Sequence, residues 1–144
     1  MEMDSHVQRF QTAIQALKRM EFEVLQKMEA QITGPQIFML FWIRKNGKCK
    51  LSQLAELMEV KPSAVTVMID RLEKSGYVQR THDTVDRRSI LVEVTPSGQE
   101  VLDQALRERN EVTRQYLSRL EPDEVRMVIV LLEKMMKIEP PDGS

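Results

Sequence analysis

The chain has 144 residues, 42% hydrophobic and 30% charged, with a formal net charge of −1, which describes one domain-sized folded unit and excludes a disordered or fibrous polymer. Its single cysteine excludes an internal disulfide framework. No apolar run reaches the roughly 18–20 residues that span a bilayer, and MEMDSHVQRF lacks the basic start and apolar stretch of a signal peptide, so a cytoplasmic protein with no membrane partner is expected.

From the N-terminus, Val7, Phe10, Ile14, Leu17, Met20, Val24 and Met28 recur at three- and four-residue spacing without an intervening proline or glycine. This predicts one long amphipathic helix from Asp4 to about Gln31. Ile32-Thr33-Gly34-Pro35 breaks it, and Pro35 opens a second helix, QIFMLFWIRKN, closed by Gly47. Ile37 to Ile43 is apolar nearly all round, so this helix is expected to be buried on several sides.

Leu51 to Gly98 is the most informative stretch. Ser52 is a fair N-cap for a short helix with Leu54, Ala55, Leu57 and Met58 on its apolar face. A tight break at Glu59–Lys61 precedes Pro62, which suits the first position of the next helix. There Val65, Ile69 and Leu72 recur at 4,3 spacing with Met68 beside them, and Gly76 is the stop. Ser63, Ala64, Thr66, Val67 and Asp70 are left on the opposite face. Two short helices joined by a tight turn, the second showing small and polar residues outward, read as a helix-turn-helix. Tyr77–Thr81 and Ile90–Val94 then read as a β-hairpin, with His82 to Arg88 between them polar except for Val85. A hairpin directly after a helix-turn-helix is a winged helix, and a basic tip suits a DNA minor groove, where guanidinium groups meet concentrated negative potential.

Thr95 can cap a helix starting at Pro96, whose apolar positions are Val101, Leu102, Ala105, Leu106, Val112, Tyr116, Leu117 and Leu120. Glu121-Pro122 starts the last helix, with Asp123 and Glu124 favourable at its N-terminal dipole. Met127 to Leu132 is six consecutive apolar residues, which cannot all face one side of a helix, so a partner chain is the expected cover. The tail from Pro140 to Ser144 cannot continue the helix and is expected to fray.

The runs LSQLAELMEVKPSAVTVMIDRLEKSGYVQR and DRRSILVEVTPSG, with the helices flanking both, resemble the MarR family of dimeric winged-helix transcription regulators. The resemblance covers nearly the whole chain, and the Asp86-Arg87-Arg88 wing followed by LVEVTPSG is its most specific part. It implies a mainly α (α+β) fold in a single compact chain. A winged helix-turn-helix for DNA binding would occupy residues 35–95, flanked by N- and C-terminal dimerisation helices at 1–34 and 96–144. The implied partners are double-stranded DNA and a second copy of the chain, the homodimer reading an inverted repeat with half-sites about one helical turn apart. The implied function is a sequence-specific repressor released by a small-molecule effector.

By the same match, Ser63, Ala64, Thr66 and Val67 lie where such recognition helices meet the major groove. Thr66 can bond a base or phosphate, and Ala64 and Val67 can touch thymine methyls; the alternative is an ordinary solvated helix face. The family often has an arginine where Val67 stands, so one guanine contact is missing. Arg88 corresponds to the wing arginine that enters the minor groove, with Asp86 placed to hold its guanidinium or to brace the wing turn. A surface ion pair of little worth is the alternative. Arg87 is expected at a phosphate or in solvent, and Arg71 in a structural ion pair or at a phosphate. Ser52, Gln53, Lys61 and Arg80 are candidate phosphate-positioning groups.

Charge is only mildly segregated. Lys48 to Thr95 holds eight basic and seven acidic residues, the remainder 13 and 15. This tolerates DNA binding and argues against strong non-specific affinity. Cys49 sits between Lys48 and Lys50, which can lower its pKa. Oxidant-sensing members of the family carry their cysteine near the start of the first helix, where this chain has none, so an incidental thiol is the simpler reading. His6, His82 and one cysteine offer no metal-ligand spacing, and no metal or cofactor is expected. Most of the ten methionines are expected to fill an adaptable core. Beside Phe38, Phe41 and Trp42 they can also line a crevice for a small aromatic or amphipathic effector, as in many relatives. No Gly-rich phosphate loop, G-x-S-x-G elbow, H-E-x-x-H or paired His–Cys points to an enzyme. The competing reading is a winged-helix protein-interaction module without sequence-specific DNA binding. Salt separates the two: DNA binding must fall steeply with salt, whereas an apolar protein interface need not.

Overall fold

The computed structural model describes residues 1–29 and 31–141. Among these, six helices and three strands follow one another as α1 (Glu2–Lys27), α2 (Gly34–Asn46), β1 (Cys49–Lys50), α3 (Leu51–Met58), α4 (Pro62–Lys74), β2 (Val78–His82), β3 (Ile90–Val94), α5 (Pro96–Leu117) and α6 (Pro122–Met136). They fall into two compact units, Met1–Arg109 and Asn110–Ser144. The mainly α winged helix-turn-helix expected from the sequence is present in the first.

Helix α1 stops short of the expected end. Met28 is already extended (φ −76°, ψ 132°), and Met28 and Ile32 are both buried in the core, which anchors the chain there after it leaves the helix. Ala30 lies outside the described residues, as do Asp142–Ser144 of the expected frayed tail. Helix α2 starts with a reciprocal cap. The Gln36 N–H donates to Thr33 Oγ1 (3.3 Å) and the Thr33 N–H to Gln36 Oε1 (3.0 Å), satisfying two otherwise orphaned donors. It ends at Gly47, in the left-handed region at φ 70°. Met39, Leu40 and Ile43 are fully buried, while Phe38 stays exposed.

Ser52 does not cap α3. The cap position lies two residues earlier, at Lys50, the helix begins at Leu51, and the Gln53 side chain reaches back to accept the Lys50 N–H at 2.9 Å. The turn into α4 runs through Glu59 in the left-handed conformation (φ 54°) and Lys61 to Pro62 at the first helical position. Val65, Ile69 and Leu72 face inward as their spacing predicts. Ser75 and Gly76 (φ 83°) close the helix, with the Tyr77 N–H bonded to the Leu72 carbonyl at 2.9 Å.

The sheet is antiparallel in the order β1-β3-β2. β2 and β3 form the hairpin, with Arg80 opposite Val92, and β1 adds Cys49 opposite Val92 and Lys50 opposite Leu91. One core joins Met39, Leu40 and Ile43 of α2 to Leu54 of α3, to Val65, Ile69 and Leu72 of α4, to Val78 and Val92 of the sheet, and to Leu102 and Ala105 of α5. Thr95 caps α5 as expected, accepting the Gly98 N–H at 3.1 Å, and its hydroxyl also donates to the Gly76 carbonyl at 2.5 Å. Arg44 of α2 bonds Asp103 of α5 at 2.5 Å. In the second unit, Glu124 caps α6 by accepting the Glu121 N–H at 2.9 Å, and no residue of α6 is buried.

Candidate nucleic-acid interface

Because Val65, Ile69 and Leu72 turn inward, Ser63, Ala64, Thr66, Val67 and Arg71 are all exposed on α4. No charged residue stands from Pro62 to Ile69, so the first two turns offer hydroxyls and methyls. The Thr66 hydroxyl donates to the Pro62 carbonyl at 3.1 Å, which leaves it two acceptor lone pairs and a methyl group for any further contact. Val67, 49% exposed, carries apolar surface of the kind that meets a thymine C5-methyl. Arg71 enters no ion pair among the described residues. Lys61 occupies the cap position of α4 and is exposed, Ser52 is exposed within α3, and Gln53, also exposed, uses only its amide oxygen in the α3 cap.

The wing loop, Asp83–Ser89, is built by its own carboxylates. The Asp83 N–H closes the base on the Ser89 carbonyl at 3.0 Å, and Asp83 Oδ1 accepts the Val85 N–H at 3.0 Å. Asp86 accepts the Arg88 N–H at 3.1 Å and the Ser89 hydroxyl at 3.3 Å. Of the two roles open to Asp86, the carboxylate therefore braces the turn. Arg87 and Arg88 are exposed, and neither guanidinium enters an ion pair among the described residues.

Arg80 sits differently. Its guanidinium donates to Glu73 Oε1 at 2.7 Å and to Asp70 Oδ1, both on α4. The hydrogen bond to Asp70 raises its pKa further above the ordinary arginine value, burial opposes this, and the charge of Glu73 adds to it. The expected phosphate-positioning group thus has its terminal nitrogens already engaged by α4. Sequence reasoning missed this cluster, although Asp70 and Glu73 stand three residues apart on one helix face.

Gly98 was also missed. A Cβ there would lie 2.1 Å from the Tyr77 carbonyl oxygen and 2.7 Å from Val94 Cγ1, so the start of α5 packs directly on the backbone leading into the hairpin. Burial, not the flanking lysines, governs the Cys49 thiol and pushes its pKa up. It lies in β1 at 3% exposure, while Lys48 Nζ reaches the Glu93 carboxylate at 3.8 Å. Phe38 and Phe41 meet Trp42 edge to face, with centroids 5.9 Å and 6.1 Å away, and the buried Trp42 Nε1 has no hydrogen-bond partner among the described residues. No described helix is long and apolar enough to cross a membrane.

Comparison with known proteins agrees with this geometry. The family model described as the MarR family matches residues 32–90. The chain is similar to the HTH-type transcriptional repressor MdtR of Bacillus subtilis, 40% identical over 127 residues that cover 87% of this chain and 82% of that protein. Its fold is similar to the crystal structure of the YusO protein from Bacillus subtilis, with TM-score 0.78 and 38% identity over 93% of this chain and 96% of that one. It is also similar to a cysteine-to-serine mutant of MarR from E. coli complexed with operator DNA, with TM-score 0.70 and 27% identity over 93% and 95% of the two chains. The chain belongs to the MarR family of winged-helix transcription regulators.

Proposed function

We propose that the chain is a cytoplasmic, homodimeric repressor that binds an inverted-repeat operator in double-stranded DNA and releases it when a small aromatic or amphipathic molecule binds. The observation that carries this reading is the pairing, on one winged helix, of an uncharged reading face on α4 with a wing whose Arg88 guanidinium is exposed and uncommitted. Ser63, Ala64, Thr66 and Val67 would meet base edges in the major groove. Arg88 would enter the minor groove, on a turn held by Asp86. Arg87, Lys61, Arg71, Ser52 and Gln53 would lie along the phosphates and set the register.

Residues 35–95 serve as the DNA-binding region, and residues 1–34 and 96–144 as the dimerisation region. The support for a second copy is apolar surface with no cover: Val7, Phe10, Ile14 and Leu17 of α1 are exposed, and so is every residue from Met127 to Leu132 of α6. The repressor and operator roles follow MdtR and the operator complex of MarR by similarity. The effector would be held near Trp42, whose unpartnered Nε1 offers a hydrogen bond beside two further aromatic rings. Release would follow from an altered spacing or angle of the two winged helices, which a fixed operator cannot match.

Selection from a random duplex DNA pool, followed by titration of the winning sequence at two salt concentrations, tests the proposal. An enriched inverted repeat, bound by two chains and weakened steeply by salt, is the expected result. Absence of enrichment would count for the protein-interaction module. Quenching of the single tryptophan by aromatic ligands, with loss of operator binding, tests the effector arm.

A further inference from the structure

We propose that Arg80 serves DNA binding without touching DNA: it cancels the charge of Asp70 and Glu73, two carboxylates on the helix that reads the major groove. The inference rests on the DNA-binding reading above. All charges of α4 lie in its second half, where Asp70 and Glu73 balance Arg71 and Lys74. Such a helix has no net attraction for a polyanion, and its two acids share one face. Arg80 arrives from β2, in register with Val92, and places one terminal nitrogen on each acid, at 2.7 Å from Glu73 and in a hydrogen bond with Asp70.

The exposures decide what an approaching phosphate meets. The Arg80 side chain is 25% exposed, against 59% for Asp70 and 41% for Glu73. The carboxylates stand outside and the cation behind them. Without Arg80 the acids would oppose a phosphate at close range, where like charges are costly. With it, Arg71 and Lys74 are left to set the sign of the helix end. A direct phosphate contact would instead require guanidinium donors turned outward.

The test compares the parent chain, Arg80→Ala, Asp70→Asn/Glu73→Gln and the triple variant on the selected inverted repeat, by fluorescence anisotropy across a salt series. Arg80→Ala is expected to bind roughly tenfold or more weakly, because it uncovers two like charges facing the phosphates. The double variant should bind at least as tightly as the parent. The triple variant should regain near-parent affinity with the parent's salt slope, since no phosphate contact is lost. A triple variant as weak as Arg80→Ala, with a slope lower by about one phosphate, overturns the proposal in favour of direct contact. So does an unchanged Arg80→Ala, or a double variant weaker than the parent, which would mark the cluster as a structural pin. Should circular dichroism show Arg80→Ala unfolded, the double and triple variants against the parent decide. If the parent itself binds no selected duplex, the DNA-binding reading fails first and the inference falls with it. Failure confined to the variants overturns the inference alone.

Discussion

Arg88 is the residue whose loss should be felt most directly. Its guanidinium has no internal partner among the described residues, so removing it leaves no buried charge and breaks no ion pair. Arg88→Ala should therefore weaken operator binding by about 1–3 kcal/mol while leaving the melting temperature unchanged. An anisotropy titration beside a thermal melt checks both, and an unchanged affinity would sink the wing assignment. Cys49 gives a prediction of opposite kind, in stability alone. Burial holds its folded pKa above the ordinary thiol value of 9.0, so above that pH the unfolded chain releases a proton that the folded chain keeps. The thiol contributes nothing to pH dependence below that value, and stability falls as pH rises past it. Urea denaturation across the alkaline range should show this fall in the parent and a shallower one in Cys49→Ala. A depressed pKa, as the flanking lysines alone would give, predicts the reverse slope.

At the scale of elements, the joint between α5 and the hairpin leaves no room for a side chain at Gly98. Thr95 binds Gly76 through its hydroxyl at 2.5 Å and Tyr77 through its N–H at 3.0 Å, and Gly98 lies against the Tyr77 carbonyl. Two effects compete on Gly98→Ala. Helix propensity favours alanine by about 1 kcal/mol, but the new Cβ would sit 2.1 Å from a backbone oxygen that is itself hydrogen-bonded. Backbone cannot swing aside as a side-chain end can, so the clash should win, with a net loss of about 1–3 kcal/mol. Chemical denaturation measures it, and a stabilised Gly98→Ala would mean that the joint opens freely. The same joint ties the stop of α4 to the cap of α5.

At the scale of the whole molecule, α6 is the feature that a single chain leaves unexplained. Met127 to Leu132 is 37–59% exposed, a continuous apolar run that water disfavours by about 25 cal/mol per Å². A second copy is the expected cover. Light scattering at micromolar concentration should return twice the 16.8 kDa chain mass. Leu131→Glu should shift that mass to the single chain. It should also abolish tight binding of the full inverted repeat, because two half-sites then cannot be held by one assembly. A parent chain of single mass would remove the homodimer, and with it the reason for an inverted repeat.

Much of this architecture is determined by the sequence alone, through residues that act on their own backbone. Pro62, Pro96 and Pro122 start helices, Gly47 and Gly76 end them, and the 4,3 spacing of Val65, Ile69 and Leu72 identifies the buried face of α4 and hence the outward one. These are local effects, legible without knowing what lies across the fold. The tertiary structure decided what depends on neighbours distant in sequence. β1 is two residues long, too short for any period, and exists only because β3 lies beside it. Cys49 has lysines next to it in sequence but Val92 opposite it in space, so desolvation governs its thiol. Arg80 looked like a free cation until the hairpin folded back and set it behind Asp70 and Glu73. Backbone preferences are written residue by residue, whereas burial and charge pairing belong to whichever groups the fold brings together.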